Sequence, residues 1–261
     1  MIAIIDYGAG NLGSVKKAFD YLGVPYRVLS SGEDLYNISG VVLPGVGAFG
    51  AAVDRLKSSG FFLKLKNYIS SGRPFLGICL GMQLLMESSE EAEGVEGLGV
   101  VKGTCRRFRQ GKVPQMGWNR VYYGGGSGPV KESRLFRGVP DGSFFYFIHS
   151  YYVNEVDEEV AAASSDYYIK FTPAFERGNL YGCQFHPEKS GEMGLQVLRN
   201  WVESCIPNPQ MSHLRKDENK QYWETVKKHR KPDQPCKTKV LRGPGAVFSK
   251  EPMAPGGPPE A

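Results

Sequence analysis

The sequence has few of the residues that build disulfide scaffolds and metal sites. Its 261 residues include five cysteines, an odd number without a CxxC pair, and four histidines, which argues against a disulfide framework or a zinc site. The longest uncharged run, 35–53, is broken by Asn37, Pro44 and four glycines, so no membrane span is expected. The first residues lack the cationic start and cleavage site of a signal peptide. These absences predict a cytoplasmic protein without a metal or cofactor.

Residues 1–205 carry no excess of positive charge. Residues 206–261 carry 11 Lys and Arg against 6 Asp and Glu, which accounts for the whole formal net charge of +5. The same stretch holds 9 of the 17 prolines, and such a composition buries too little apolar surface to fold alone. We therefore expect a folded domain over 1–205 and a basic, Pro/Gly-rich, disordered tail over 206–261. A neutral domain argues against a nucleic-acid-binding face.

Short apolar runs alternate with amphipathic helical patterns through the first half of the chain. This alternation predicts an α/β fold with an open, mostly parallel twisted sheet and helices on both faces. Later strands have no obvious helices between them, which predicts an antiparallel extension of the sheet. Strands are predicted at 2–6, 26–29, 40–43, 75–78, 144–151, 160–164 and 180–185, and helices at 12–22, 49–72 with a break at 58–60, 82–88 and 194–205.

A cysteine between two glycines gives the most specific local pattern. Gly77-Ile-Cys79-Leu-Gly81 follows an apolar strand and precedes a helical segment, which matches a nucleophile elbow with sulfur in place of the serine oxygen. The glycines permit the strained turn that lifts the apex side chain out of the sheet. The positive end of the following helix favours the thiolate. The alternative is a buried structural cysteine in a glycine-flanked strand.

A thiol nucleophile needs a proton carrier, and the neutral domain contains two histidines, His149 and His186. His186 ends an apolar strand, and Pro187 favours an extended chain up to Glu188. In an extended chain, side chains two residues apart point to the same side, so Glu188 can approach the imidazole. Cys79, His186 and Glu188 then provide the nucleophile, base and orienting group of acyl transfer. His149 lacks such a carboxylate and is interpreted as structural or substrate-orienting.

These two motifs resemble those of class I glutamine amidotransferases. Three further segments narrow the resemblance to the glutaminase subunits of imidazole glycerol phosphate synthase. They are Asp6-Tyr-Gly-Ala-Gly-Asn-Leu-Gly-Ser14, Leu43-Pro-Gly-Val-Gly-Ala-Phe-Gly50 and Pro114-Gln-Met-Gly-Trp-Asn119. The resemblance covers residues 1–205. Gln115 departs from it, because the family pattern has a histidine there.

The resemblance implies that glutamine is hydrolysed to glutamate and that the ammonia passes to a second subunit. It implies that Cys79 attacks the side-chain amide carbon, that His186 protonates the departing ammonia, and that Glu188 holds the imidazole. Glycines around the loop oxyanion donor let that peptide rotate, so a partner can complete the oxyanion hole. The implied oxyanion donors are the backbone N–H groups of Val46 and Leu80, and the implied substrate contacts are Gly47, Gln83, Glu91, Ser150 and Tyr151.

In this family the partner is a (β/α)8-barrel cyclase, which joins the ammonia to a ribotide. Residues at positions that resemble the family's docking face are Asn11, Met116, Trp118 and Lys189. Three alternatives stay open. They are a class I amidotransferase subunit that serves another synthase, a cysteine hydrolase or peptidase that acts alone, and a noncatalytic scaffold that binds acidic partners through its basic tail.

Overall fold

The computed structural model describes residues 1–31, 35, 37–123, 133–153 and 156–205. The tail expected over 206–261 lies outside the described residues and stays a prediction. Within the described ranges, no helix has both the length and the apolar character needed to cross a bilayer.

Strands and helices alternate in the first half of the chain, and strands predominate in the second. The helices are α1 (Leu12–Tyr21), α2 (Phe49–Ser58), α3 (Phe61–Ser70), α4 (Leu80–Gln83) and α5 (Gly191–Cys205), with 3-10 turns at Arg134–Phe136 and Pro187–Lys189. The strands are β1 (Ile2–Ile5), β2 (Tyr26–Leu29), β3 (Gly40–Gly45), β4 (Phe75–Cys79), β5 (Ser88–Ser89), β6 (Thr104–Arg107), β7 (Gln115–Val121), β8 (Ser143–His149), β9 (Tyr151–Val153), β10 (Ala161–Asp166), β11 (Lys170–Arg177) and β12 (Leu180–Cys183).

A seven-stranded sheet in the order β10-β11-β12-β4-β3-β1-β2 forms the centre of the described chain. Strands β2, β1, β3, β4 and β12 run parallel, whereas β11 pairs antiparallel with both β10 and β12. A smaller sheet contains β5, β6 and β9, and β7 pairs antiparallel with β8. The predicted α/β fold with an antiparallel extension is therefore confirmed.

Helices cover both faces of the sheet. The central strands are apolar at every position, so both of their faces must be shielded from water. Ala3 and Ile5 alternate onto one face of β1 and share a core cluster with α2 and α3. On the other face, Gly40 of β3 lies against Trp201 of α5. Trp201 in turn packs edge to face on Phe19 of α1, with 6.3 Å between the ring centroids. This double coverage is typical of sheets with central parallel strands.

The helix predicted over 82–88 is wrong, because α4 ends at Gln83 and the chain then turns into β5. Leu84, Leu85 and Met86 are all fully buried, so the segment has no polar face to place towards solvent. Its carbonyl groups accept hydrogen bonds from the N–H groups of residues 97–101. An apolar run of this length has no periodicity that separates a buried turn from a helix.

The structure contains strands that the sequence pattern does not predict, namely β5, β6, β7 and β11. Strand β11 includes Pro173, and a proline inside an apolar run argues against a strand. The single strand predicted over 144–151 is also two strands. Strand β8 ends at His149, β9 begins at Tyr151, and the two belong to different sheets.

The carboxyl ends of four adjacent parallel strands bring the candidate residues to one edge of the sheet. The chain continues from β1 into Tyr7 and from β3 into Val46, while β4 ends at Cys79 and β12 leads to His186. Gly45 of β3 pairs with Cys79. This edge is where open α/β sheets bind their ligands.

Candidate active site

Cys79 occupies the turn between β4 and α4 in a conformation that is rare for a residue with a side chain. Its φ is 53°, in the left-handed region, so the turn is strained. The flanking glycines are required by space. A Cβ on Gly77 would lie 2.6 Å from the carbonyl oxygen of Gly81, and a Cβ on Gly81 would overlap the carbonyl oxygen of Leu43. The chain therefore has the strand, turn and helix of a nucleophile elbow.

The Cys79 side chain lies in a narrow, buried space and is 5% exposed. Its Sγ is 3.7 Å from the carbonyl oxygen of Ile148 and 3.6 Å from Nε2 of Gln184. Helix α4 behind it is a single turn, so the helix field that we expected to favour the thiolate is small. Charge stabilisation at the sulfur must come mainly from neighbouring side chains.

His186 and Glu188 form a buried pair beside this sulfur. Nδ1 of His186 is 2.7 Å from Oε1 of Glu188, and both side chains are 2% exposed. The predicted extended chain between them is wrong, because Pro187 begins a 3-10 turn. That turn, rather than strand alternation, brings the carboxylate to the imidazole.

The charge on His186 depends on both neighbours. Burial lowers the pKa of its imidazole, but the charge and hydrogen bonding of Cys79 and of Glu188 outweigh burial and raise the pKa from 6.5 to about 10. Nδ1 faces Glu188, and Nε2 is buried with no nitrogen or oxygen partner among the described residues. Nε2 is therefore the ring atom available to exchange a proton with the Cys79 sulfur.

Residues 44–47, the last two residues of β3 and the first two after it, lie beside the nucleophile, and we call them the oxyanion loop. Val46 is 40% exposed, and Gly47 has a φ of 103°. Leu80, the first residue of α4, is 3% exposed. A Cβ on Gly45 would lie 2.9 Å from the Cβ of Leu80, so the structure brings the loop and Leu80 together.

Glu91 lies across from the end of the oxyanion loop. Its Oε2 accepts a hydrogen bond from the Phe49 N–H at 2.8 Å, at the first residue of α2. The N-cap of this helix is Ala48, whose side chain makes no cap hydrogen bond. Glu91 therefore caps α2 from a distant part of the chain, a contact that the acidic run in the sequence does not reveal.

Gln83 lies where the sequence placed it, one turn after Cys79. Its Nε2 donates to the carbonyl oxygen of Tyr151 at 2.9 Å and to Oε1 of Gln184 at 3.1 Å. Ser150 precedes Tyr151, and its carbonyl oxygen accepts from the Phe108 N–H at 3.1 Å. Gln83 thus holds the backbone that the resemblance assigns to substrate binding.

Gln184 and Tyr7 also lie at this site, although sequence reasoning did not select them. Gln184 contacts Cys79, and strand alternation gives a usable signal, since it lies two residues before His186. Tyr7 is buried near the sulfur, and the sequence gives no signal for it beyond its place in the first glycine-rich motif.

His149 is buried on β8 within an aromatic cluster. Its Nδ1 is 2.8 Å from the carbonyl oxygen of Tyr151, and its ring is 5.3 Å from that of Phe108. Burial lowers the pKa of its imidazole from 6.5 to about 4. His149 is therefore neutral at physiological pH and supports the Tyr151 backbone.

Two of the expected docking residues form an exposed surface on β7. Met116 and Trp118 are 60% and 48% exposed, and the indole packs edge to face on Tyr146 at 6.1 Å. Gln115, by contrast, is buried and pairs with His149 across the two strands. The departure from the family pattern therefore lies in the interior and not on this surface.

The other two expected docking residues are tied to local structure. Oδ1 of Asn11 accepts a hydrogen bond from the Ser14 N–H at 3.4 Å and caps α1. The Lys189 N–H donates to the carbonyl oxygen of His186 at 3.0 Å. Helix α1 contacts the turn Pro187–Lys189, so these two residues lie on adjacent elements.

Comparisons with known proteins agree on one family. The family model described as Glutamine amidotransferase class-I matches residues 3–205. "Imidazole glycerol phosphate synthase subunit HisH" of Desulfitobacterium hafniense is 48% identical over 206 residues, which cover 77% of this chain and 95% of that protein. The protein of the same name from Chlorobaculum tepidum is 47% identical over 207 residues, which cover 78% of this chain and 100% of that protein.

Solved structures support the fold at lower sequence identity. A structure titled "Crystal structure of glutamine amidotransferase" aligns with a TM-score of 0.62 at 16% identity, covering 78% of this chain and 99% of that one. "Structure of PurLQS from Thermotoga maritima" aligns with a TM-score of 0.60 at 16% identity, covering 78% and 98%.

Proposed function

Because the chain belongs to the class I glutamine amidotransferase family, we propose that it is the glutaminase subunit of imidazole glycerol phosphate synthase in histidine biosynthesis. Relatives that are 47–48% identical over nearly their whole length carry that subunit name, which favours this synthase over one with another acceptor. The observation that carries the glutaminase chemistry is the His186–Glu188 pair, 2.7 Å between Nδ1 and Oε1, beside Cys79.

The reaction begins with attack of the Cys79 thiolate on the side-chain amide carbon of glutamine. Although burial lowers the pKa of His186, the charge and hydrogen bonding of Cys79 and Glu188 raise it to about 10, so the ring takes up the proton that the thiol gives up. As the carbon–nitrogen bond breaks, the imidazolium donates that proton to the departing ammonia. The neutral ring then takes a proton from water, the resulting hydroxide attacks the thioester, and glutamate leaves. Glu188 fixes the ring orientation throughout.

The tetrahedral oxygen is stabilised by the backbone N–H groups of Leu80 and Val46. Both peptides lie beside Cys79, as the pairing of Gly45 with Cys79 requires. Gly47 gives the loop the freedom to turn its donor towards the substrate. Once both donors face the oxygen, they are worth several kcal/mol, since the loss of one donor typically costs about 10²- to 10³-fold in turnover.

The substrate's α-amino and α-carboxylate groups are held on the other side of the sulfur. Ser150 and Tyr151 bind the carboxylate through their backbone, and Gln83 supports that segment by its hydrogen bond to Tyr151. Glu91 binds the ammonium through Oε1, while Oε2 caps α2. This arrangement couples substrate binding to the start of α2 and hence to the oxyanion loop.

The partner is a (β/α)8-barrel cyclase that docks on Asn11, Met116, Trp118 and Lys189. Exposed Met and Trp side chains are favoured at protein interfaces. Strand β7, which carries two of these residues, pairs with β8, whose Ile148 carbonyl lies 3.7 Å from the nucleophilic sulfur. Ammonia released there lies close to the docking surface and can pass to the cyclase before water protonates it.

Mixing the chain with a cyclase subunit and its ribotide ligand tests this function. We expect glutamate formation that rises by orders of magnitude when both are added, and no glutamate formation by Cys79→Ala, although that variant still binds the cyclase. Equal rates with and without the cyclase would contradict the partner assignment. Glutamate formation by Cys79→Ala would contradict the glutaminase assignment.

A further inference from the structure

Tyr7 follows β1, and the mechanism above does not use it. Its side chain is 5% exposed, and its hydroxyl has no hydrogen-bond partner among the residues that the structure describes. A buried hydroxyl without a partner destabilises a fold, so such groups are rare and need a physical explanation. Its position next to the nucleophile suggests that the missing acceptor belongs to the catalytic cycle.

The Tyr7 hydroxyl lies against the first glycine of the oxyanion loop. An ideal Cβ on Gly45 would lie 2.5 Å from the hydroxyl oxygen and 2.9 Å from the Cβ of Leu80. Gly45 must therefore be glycine for the hydroxyl to lie there. The hydroxyl is close to both peptides that carry the proposed oxyanion donors.

The protonation state of Tyr7 makes it a donor. Burial raises the pKa of its phenol, the nearby charge of Cys79 raises it further, and Arg55 opposes both. The hydroxyl thus keeps its proton throughout the neutral pH range. A donor at this place needs an acceptor, and a backbone carbonyl of the adjacent loop can supply one when the loop turns.

The backbone beside Tyr7 is fixed, whereas the oxyanion loop has freedom to turn. Oδ1 of Asp6 accepts a hydrogen bond from the Gly8 N–H at 3.0 Å, and the Arg55 guanidinium donates to the Gly8 carbonyl. In the loop, Gly47 has nothing within 4 Å of its ideal Cβ position. The loop therefore has room to turn at Gly47, whereas the backbone beside Tyr7 is held by hydrogen bonds.

We propose that Tyr7 is a positioning residue for the oxyanion loop. When the peptide between Gly45 and Val46 turns its N–H towards the substrate oxygen, the Tyr7 hydroxyl donates a hydrogen bond to the carbonyl oxygen of the same peptide. Because this hydrogen bond forms only in the turned loop, it favours the catalytic arrangement over the resting one. The inference rests on the proposed glutaminase function.

The test is Tyr7→Phe in the full chain, assayed with the cyclase subunit and its ribotide. We expect kcat for glutamine hydrolysis to fall about tenfold, the effect of one hydrogen bond, with KM for glutamine unchanged. The fall in the unstimulated rate should be smaller, since the resting loop does not use the hydroxyl. The Tm of the free chain should stay equal or rise, because the variant removes an unpaired buried hydroxyl.

Tyr181→Phe is the matched control. Tyr181, on β12, is likewise a buried tyrosine, 1% exposed, and its ring lies under the Arg134 guanidinium at 5.3 Å. The kcat of Tyr181→Phe should equal that of the wild type.

An unchanged kcat in Tyr7→Phe would overturn the proposal. A fall in kcat with a matching fall in Tm would also overturn it, because that result would indicate a structural role. Equal losses of the stimulated and unstimulated rates would overturn it as well, because they would indicate that the hydroxyl acts on the triad. Failure of the wild type to hydrolyse glutamine would instead refute the proposed function.

Discussion

Glu188→Gln is expected to remove most glutaminase activity while the chain still folds. The Glu188 carboxylate can only accept a hydrogen bond, so it keeps a proton on Nδ1 of His186, 2.7 Å away. A glutamine amide can instead donate to Nδ1, which would move the proton of the neutral ring to Nε2. That tautomer cannot take the thiol proton. In a catalytic triad, the equivalent change lowers kcat by about 10⁴-fold, and we expect a loss of about 10³- to 10⁴-fold here.

The same substitution should change how His186 titrates. Its pKa is raised from 6.5 to about 10, so its contribution to stability is complete below about pH 6.5 and is lost as the pH rises towards 10. Glu188→Gln should lower this pKa, and stability should then fall less over that pH range. A broken buried ion pair typically costs about 3–5 kcal/mol of stability. Glu188→Gln should cost less than this, because Cys79 still pairs with the imidazolium.

Two measurements check this prediction. Nuclear magnetic resonance of labelled imidazoles follows the titration of His186, and glutamate release in the presence of the cyclase gives kcat. Glu192→Gln, at an exposed position in the first turn of α5, makes the same chemical change outside the triad and should leave kcat unchanged. A Glu188→Gln variant with wild-type kcat, or with the His186 pKa unmoved, would show that Glu188 does not control the protonation of the ring.

Three further outcomes are expected. Trp118→Ala should weaken cyclase binding by about 2 kcal/mol or more without lowering Tm. Leu63→Ala, at another exposed apolar side chain, should leave cyclase binding unchanged. Equal affinities of Trp118→Ala and wild type by calorimetry would show that Trp118 is not in the interface. His149→Gln should abolish an acid destabilisation of about 3 kcal/mol between pH 6.5 and 4. In that range the imidazole gains a proton in the unfolded chain, whereas in the folded chain its pKa is about 4 and it stays neutral. Unchanged acid melting curves would contradict this. Deletion of 206–261 should leave kcat within a few-fold, and a larger loss would assign the tail a catalytic role.

The sequence predicts the parts of the fold that repeat a local pattern. The alternation of apolar strands with amphipathic segments gives β1 to β4 and α1 to α3 with nearly correct bounds, including the break at Gly60. It fails where burial removes the pattern. Leu84 to Met86 are apolar on every side and form turns rather than a helix, and the proline in β11 hides a strand that tertiary pairing stabilises.

The candidate site was predictable where a short motif fixes the chemistry. Cys79 between its glycines and His186 two residues before Glu188 are both visible in the sequence, although the turn that joins His186 to Glu188 is not the expected extended chain. Long-range contacts were not predictable. Glu91 caps a helix 42 residues away, and the Tyr7 hydroxyl reaches Gly45 only after two separate strands have paired with each other.

Trapping the acyl-enzyme tests most directly whether the Cys79 sulfur attacks glutamine. The chain, cyclase and ribotide are mixed with glutamine, quenched in acid during turnover, digested, and examined by mass spectrometry. We expect the peptide that contains Cys79 to gain the mass of a γ-glutamyl group in the wild type and in Cys183→Ala, and no adduct in Cys79→Ala. An adduct on any other residue, or glutamate release by Cys79→Ala, would contradict the account.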